Sequence, residues 1–403
     1  MGVEMRNLTK TESALLSLIS NALFDTKLEL DEDIDWNKLE KEAYAQAVFT
    51  LAFYKNNAPI EKYKQKIGLG VSNNLSVNAD HNYVERLMNE NGIPYVILKG
   101  YASAYYYPEP MYRSMGDVDF LVPVEKFDQA KEILISEGYI PNPENHICHI
   151  SFKKGRSVVE LHFAPAGMPE GEAGEIAKEY MKDVFKTSKK IETPDGEMVI
   201  PDAFHHGLIL LLHTCHHLTG EGVGLRHLCD WAVFANSFES EEFENIFKDR
   251  LKKIGLWKFA QLLTQLSIKY LGMSAKAWAM ENEDDELLSQ MMIDIFDGGN
   301  FGRKDDSRKH ETMIISSRGK NGVGNTSMLG QFIKSINNIV YLKWKISKKL
   351  KFLLPFGWLF YGTRYLIRMA FGKRDKININ QTVEKASERR NIYKEFDLFE
   401  TQN

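Results

Sequence analysis

Two aspartates placed two residues apart, Asp117 and Asp119, interrupt an apolar stretch at residues 116–122. In an extended strand the side chains at i and i+2 leave the same face, so both carboxylates point one way while Val118 and Phe120 point the other. Like charges this close repel by roughly 1 kcal/mol or more even when well solvated. A divalent cation held between them removes that cost. A third acid stands in Ser157-Val-Val-Glu-Leu-His-Phe163, where Val158, Glu160 and His162 share one strand face and Val159, Leu161 and Phe163 the other. If the two strands are neighbours, Asp117, Asp119 and Glu160 converge. Three carboxylates can hold two Mg²⁺ ions roughly 3.5–4 Å apart, one on triphosphate oxygens and one on an attacking hydroxyl. Mg²⁺ suits that work because it prefers oxygen ligands and keeps positions open for phosphate and water.

The run before the acids fits an anionic substrate. Lys99-Gly100 closes an apolar segment, residues 94–98, and Gly100 precedes a short helical turn, so backbone N–H groups there can meet a phosphate. Lys99 and Arg113 are cations available to balance a triphosphate. Arg113, four residues before Asp117, is the better bidentate partner.

These groups need elements to position them. Residues 1–90 read as amphipathic helices, the last ending at Asn91-Gly92. Strand-length apolar runs follow at 94–98 and 116–122, with helical spacing over 124–137. Two more strands, 149–153 and 157–163, are joined at Gly155-Arg156, with Gly at the first central place of a tight hairpin turn. That succession predicts a small mixed sheet, hence an α+β fold. Residues 166–200 read mostly as connection, with a helix near 175–185, and residues 201–297 as helices. The polar, Gly-rich stretch 298–327 is expected to be a mobile loop. The predicted division is a helical region at 1–75, an α/β core at 76–165, a helical domain at 166–297, the loop, and a basic helical segment at 328–403.

Histidines crowd the second helical region. His206, His213 and His217 fall on one helical face by spacings of seven and four. Three readings stand: a zinc site, without a recognisable fourth ligand or an H-E-x-x-H arrangement; a wall of the substrate pocket, involving His213 and His217; and packed helix histidines. Arg226 and Asp230, at i and i+4, can pair along a helix surface.

Charge is distributed unevenly. Between Lys334 and Lys376 there are eleven Lys and Arg against one acid, Asp375, inside a chain of formal net charge −4. A cationic tail on an acidic body points to an anionic surface, RNA or membrane, or to a tail folded back on the body. Residues 352–362 are apolar but far shorter than the roughly 20 residues that a spanning helix needs. Cys148, Cys215 and Cys229 share no short metal spacing, and the N-terminus lacks an apolar signal core. The expectation is a reduced, cytoplasmic protein.

Leu98-Lys99-Gly100, then Arg113-x-x-Gly116-Asp117-Val118-Asp119-Phe120-Leu121-Val122, then Val159-Glu160-Leu161-His162, resemble the uncharacterised nucleotidyltransferase group of the DNA-polymerase-β-like superfamily. The resemblance extends over roughly residues 10–270 and takes in the stretch from Leu225 to Trp231. It implies a nucleotidyltransferase fold with flanking helices, a two-Mg²⁺ site on Asp117, Asp119 and Glu160, and transfer of a nucleoside monophosphate from an NTP to a hydroxyl acceptor. Lys99, Gly100, Arg113, Gly116 and His162 match its substrate side. Tyr101 departs from the small residue usual after the glycine, leaving Ser103 as its substitute, and Glu160 replaces the commoner Asp. The resemblance also favours an inter-helix role for Arg226 and Asp230. The rival readings are a non-catalytic binding protein of this fold that engages membrane or nucleic acid through its basic segment, and a toxin-like enzyme modifying tRNA.

Overall fold

A computed structural model describes residues 6–55, 60–143, 147–193, 196–281, 284–305, 307–315, 327–371 and 379–401. Five strands form one mixed sheet: β1 (Val96–Ile97), β2 (Val118–Leu121), β3 (Ile140–Pro141), β4 (His149–Lys154) and β5 (Ser157–His162). Their order is β1-β2-β5-β4-β3, and β2 and β5 are the parallel pair. Register sets Val118 against Val159, Asp119 against Glu160 and Phe120 against Leu161. Because side chains alternate, one face of this pair is apolar and the other carries the acids.

The apolar face packs on Ala130 and Leu134 of the Phe127–Ser136 helix and on Val77, Val84, Leu87 and Met88 of a long helix, Ile60–Glu90. That helix runs unbroken across the expected boundary at residue 75, so the N-terminal helices and the α/β core share it. Gly155 turns the β4–β5 hairpin at φ +60°, where Lys154 faces Ser157. A second hairpin, β6 (Lys189–Thr193) and β7 (Gly196–Ile200), occupies what reads in the sequence as connection. Met198 and Ile200 of β7 complete the sheet's small core. The Pro-Asp-Gly between these strands is a turn signal flanked by alternating residues.

The other face of the sheet looks toward the helical part, whose larger core includes Val96, Leu98 and Leu121 from the sheet. Two of its helices matter most, Ala203–Leu218 and Leu225–Asn236. Asp202 caps the first, accepting the His205 backbone N–H at 2.9 Å, while the His205 ring bridges Asp202 and the Tyr180 carbonyl. His205 is therefore a structural residue.

Where composition suggests a mobile loop, residues 298–305 form a tight turn through Asn300–Gly302, and a helix, Arg308–Ile315, follows. Most of the rest, residues 316–326, lies outside the described residues. A buried ionic network explains the order. Arg308 donates to Asp294 Oδ1 at 2.7 Å, Arg389 to Glu311 at 2.8 Å and Tyr393 to Asp294 Oδ2 at 2.9 Å. The guanidinium of Arg308 lies so close to Gly298 that a Cβ there would sit 2.4 Å from Nη1. The C-terminal helix Ile379–Lys394 thus clamps the 298–302 turn in place. Asp294→Ala leaves two almost fully buried arginines short of their carboxylate, so the expected loss is about 3–5 kcal/mol. Urea unfolding followed by far-UV circular dichroism measures it; a loss under about 1 kcal/mol would mean that the network does not hold the turn.

Candidate active site

A cavity of about 290 Å³ opens between the acidic face of the sheet and the two helices. On the sheet side it is lined by Lys99, Gly100, Gly116, Asp117, Asp119 and Val158; on the helical side by His213, Thr214, Arg226, His227, Phe301 and Arg303. The approach to Asp117 is fixed by two asparagines of the long helix. Asn74 donates to the Met111 and Arg113 carbonyls (2.6 and 2.8 Å) and accepts the Met115 N–H at 3.1 Å; Asn73 donates to the Met115 carbonyl at 2.9 Å. Neither residue signals this role by spacing, because the partners are backbone atoms of a distant loop.

Asp119 is the electrostatic centre. Its Oδ1 accepts from Lys99 Nζ at 3.0 Å and from His162 Nε2 at 3.0 Å. The other ring nitrogen of His162, Nδ1, faces the Ala164 carbonyl at 3.3 Å. With acceptors at both nitrogens the ring is best satisfied as imidazolium. Burial opposes that charge, but hydrogen bonds to Asp119 and Glu160 outweigh it and hold His162 well above the ordinary imidazole range. Asp119 itself is pulled far below the carboxylate range: burial works against its charge, and Lys99 and His162 overcome it.

Glu160, register partner of Asp119, has a carboxylate oxygen 3.4 Å from His162 Nε2 and another 3.5 Å from His149 Nε2. Ligating atoms of Asp119, Glu160 and His162 lie within 4.8 Å of one another. Asp117, just before β2, stands outside that cluster on the adjoining cavity wall. Its carboxyl is pushed above the usual range, first by the Asp119 charge and then by burial. It is the group whose ionisation a bound cation would favour most.

Gly100 adopts φ +55°, and a Cβ there would approach His81 Nε2 at 2.8 Å, so the position requires glycine twice over. Tyr101 does not fill the cavity; its ring is buried in the small core of the sheet. Ser103 does not reach the cavity either. The one-turn helix Tyr101–Ala104 directs it inward, where its Oγ is buried, so it does not replace the missing small residue.

Arg113 also lines the cavity, and its guanidinium is bound to an acid of the helical part. Its Nε and Nη2 donate to the two oxygens of Asp230, both at 2.7 Å, and Tyr107 donates to the same carboxylate at 2.7 Å. This buried fork ties the β1–β2 connection to the Leu225–Asn236 helix. The i,i+4 pairing of Asp230 with Arg226 does not form. Arg226 instead faces the cavity, its Nε without a hydrogen-bond partner among the described residues and its guanidinium 5.3 Å from the Phe301 ring. Burial and the neighbouring Arg113 charge lower its pKa. Each arginine has an acid at i+4, and only the tertiary path decides which one Asp230 takes.

The histidines divide. His206 is buried against Tyr106, ring centroids 5.1 Å apart, away from the cavity. His213 and His217 meet edge-on and both lie tilted against His227 from the next helix, with ring centroids 4.4–5.3 Å apart and nitrogens within 4.8 Å. Burial holds all three below the ordinary imidazole range, and nearby cations add to it. His227 Nδ1 accepts the Gly224 N–H at 3.3 Å, which leaves Nε2–H as a buried donor without a partner among the described residues. Phe301, also against His217 and His227, sits at φ +60°, a left-handed conformation that costs about 1 kcal/mol for a non-glycine residue.

The two aspartates should respond oppositely to removal of charge. A carboxyl whose folded pKa is raised stabilises the fold below its unfolded pKa and loses that contribution as pH climbs through the folded value. In chelator, Asp117→Asn is therefore expected to be more stable than wild type at neutral pH, with the difference vanishing near pH 3–4. Asp119→Asn strands Lys99 and His162 and is expected to destabilise by about 2–4 kcal/mol. Urea titrations between pH 4 and 8 decide; Asp117→Asn less stable than wild type at pH 7 contradicts this charge arrangement.

No curated protein matches the chain. The sequence profile of the uncharacterised nucleotidyltransferase family matches residues 32–272, a span that contains both acid-bearing strands, the Arg113–Asp230 fork and the histidine cluster. With well over half of its length inside that profile, the chain belongs to this nucleotidyltransferase family.

Proposed function

We propose that the chain is a Mg²⁺-dependent nucleotidyltransferase that moves a nucleoside monophosphate from an NTP to a hydroxyl acceptor. One observation carries this reading: the carboxylates of Asp117 and Asp119 share a cavity with an arginine and a histidine whose donor atoms Nε and Nε2 have no partners among the described residues, and Glu160 stands beside Asp119 in register. The donor set fits the ion, since Asp117, Asp119 and Glu160 supply hard oxygens and Asp117 has its ionisation suppressed by a like charge. Bound by these three, Mg²⁺ would neutralise phosphate oxygens and make the acceptor hydroxyl more acidic.

The chain's own residues have distinct tasks in this proposal. Lys99 and His162 keep Asp119 ionised and oriented. Arg226 is the fork for phosphate oxygens, the task first read for Arg113. His227 adds its Nε2–H; His213 and His217 shape the wall beside it. Gly100 and Gly116 let the chain pass close to the triphosphate. Glu160 accepts the proton of the attacking hydroxyl as the hydroxyl oxygen bonds to the α-phosphorus and the bond to the departing pyrophosphate breaks. Arg113, itself in the cavity lining, positions through Asp230 the helix that presents Arg226. Catalysis of this kind is mostly placement and charge neutralisation.

Purified protein is to be incubated with Mg²⁺, each α-labelled NTP and pools of RNA, sugar and protein acceptors. Label is expected to move in wild type, to stop in chelator, and to fall by about 100-fold or more in Asp117→Ala and Asp119→Ala. Arg226→Ala is expected to raise the KM for NTP by about tenfold or more without unfolding the chain. Nucleotide binding unchanged in both aspartate variants, with no metal-dependent label transfer, refutes the catalytic reading.

A further inference from the structure

Among the described residues, the basic segment carries an apolar surface exposed to solvent. In the helix Leu354–Ala370, Phe356, Leu359, Phe360 and Ile367 recur at helical spacing and share one face. They are solvent-exposed: Phe356 62%, Leu359 67%, Phe360 46% and Ile367 57%. Phe352 before the helix and Phe371 after it are 67% and 76% exposed. The opposite side of the helix is the packed one. Gly357 lies against Val340, where a Cβ would sit 2.5 Å from Cγ1; Trp358 donates to Asn337 at 2.9 Å, and Tyr361 lies 6.2 Å from the Trp344 ring. Phe360 also touches this side, its ring 5.7 Å from Trp344, while Phe356, Leu359 and Ile367 stay exposed on the other.

Cations frame it. Lys348, Lys349 and Lys351 are exposed in the turns before the helix, and Arg364 and Arg368, one turn apart, are exposed along its edge. From Lys334 to Arg374 the sequence has no Asp or Glu. Among the described residues no helix is long and apolar enough to cross a membrane.

We infer that this segment docks on an anionic phospholipid surface, with the Leu354–Ala370 helix lying in the plane of the interface. The apolar stripe enters the boundary between headgroups and acyl chains, and the flanking Lys and Arg meet lipid phosphates and carboxylates. Charge complementarity chooses this occupant. A second copy of the chain would bring the same cations to the same place. RNA would use the cations and the phenylalanines, but it has no use for the aliphatic Leu359 and Ile367 at the centre of the exposed stripe. The inference rests on this surface alone and is independent of the chemistry proposed for the cavity.

Flotation of the full chain with liposomes tests it. Vesicles of phosphatidylcholine with about 30% phosphatidylserine are expected to carry the protein up the gradient, and phosphatidylcholine alone to carry far less. Phe356→Ser with Leu359→Ser, and separately Lys348→Glu with Lys349→Glu and Lys351→Glu, are each expected to reduce binding by about tenfold or more. All five positions are exposed, so the melting temperature is expected to hold. Failure of the wild-type chain to float with anionic vesicles overturns the proposal. So does unchanged flotation of the Phe356/Leu359 variant, which would reduce the interaction to surface charge. A salt-sensitive RNA complex that competes with vesicles and ignores the apolar substitutions would assign the surface to nucleic acid instead.

Discussion

Carboxylates placed side by side on adjacent parallel strands cannot stay ionised inside a protein without cations to face them. Register makes Asp119 and Glu160 such neighbours, and Asp117 adds a third charge nearby. The surrounding structure answers that constraint. Lys99 leaves the end of β1 to reach Asp119, His162 lies between two acids and a carbonyl, and Arg226 closes the far wall. Without the apolar face of the same strands, buried against two helices, the acids could not be held this close. The hydrophobic alternation and the charge cluster are two consequences of one register.

The helical part is joined to the sheet by a separate buried pair. Arg113 and Asp230 exchange two short hydrogen bonds, with Tyr107 as a third partner. A pair like this adds little net stability over an apolar contact, but losing either partner leaves an uncompensated charge. Its contribution is to geometry: it ties the Leu225–Asn236 helix to the β1–β2 connection, and so helps fix where Arg226 and His227 meet the cavity. The turn at 298–302 is held from behind in the same manner by Arg308 and Asp294, and its left-handed Phe301 is the point where that clamp meets the site.

Some of this was legible in the chain alone. Alternation over 116–122 and 157–163 placed the acids on one face of each strand, Gly155-Arg156 marked the hairpin, and Asn91-Gly92 ended the long helix. The spacing of His213 and His217 put them on a common face. What stayed hidden shares a physical character. Arg113 and Arg226 each have an acid four residues on, and local spacing gives no preference between them. The His227 donor and the asparagines Asn73 and Asn74 act through backbone partners far away in sequence. The 298–302 turn reads as mobile because its composition is polar and Gly-rich, while its order comes from arginines packed behind it.

The division is therefore between period and path. Residue order by itself determined which side chains share a face, because a strand repeats every two residues and a helix about every 3.6, and that was enough to assemble the three acids in expectation. Only the tertiary structure decided which cation answers which acid. Ion pairs form between groups brought together by chain crossings, and burial rather than sequence distance sets how strongly a charge must find its partner.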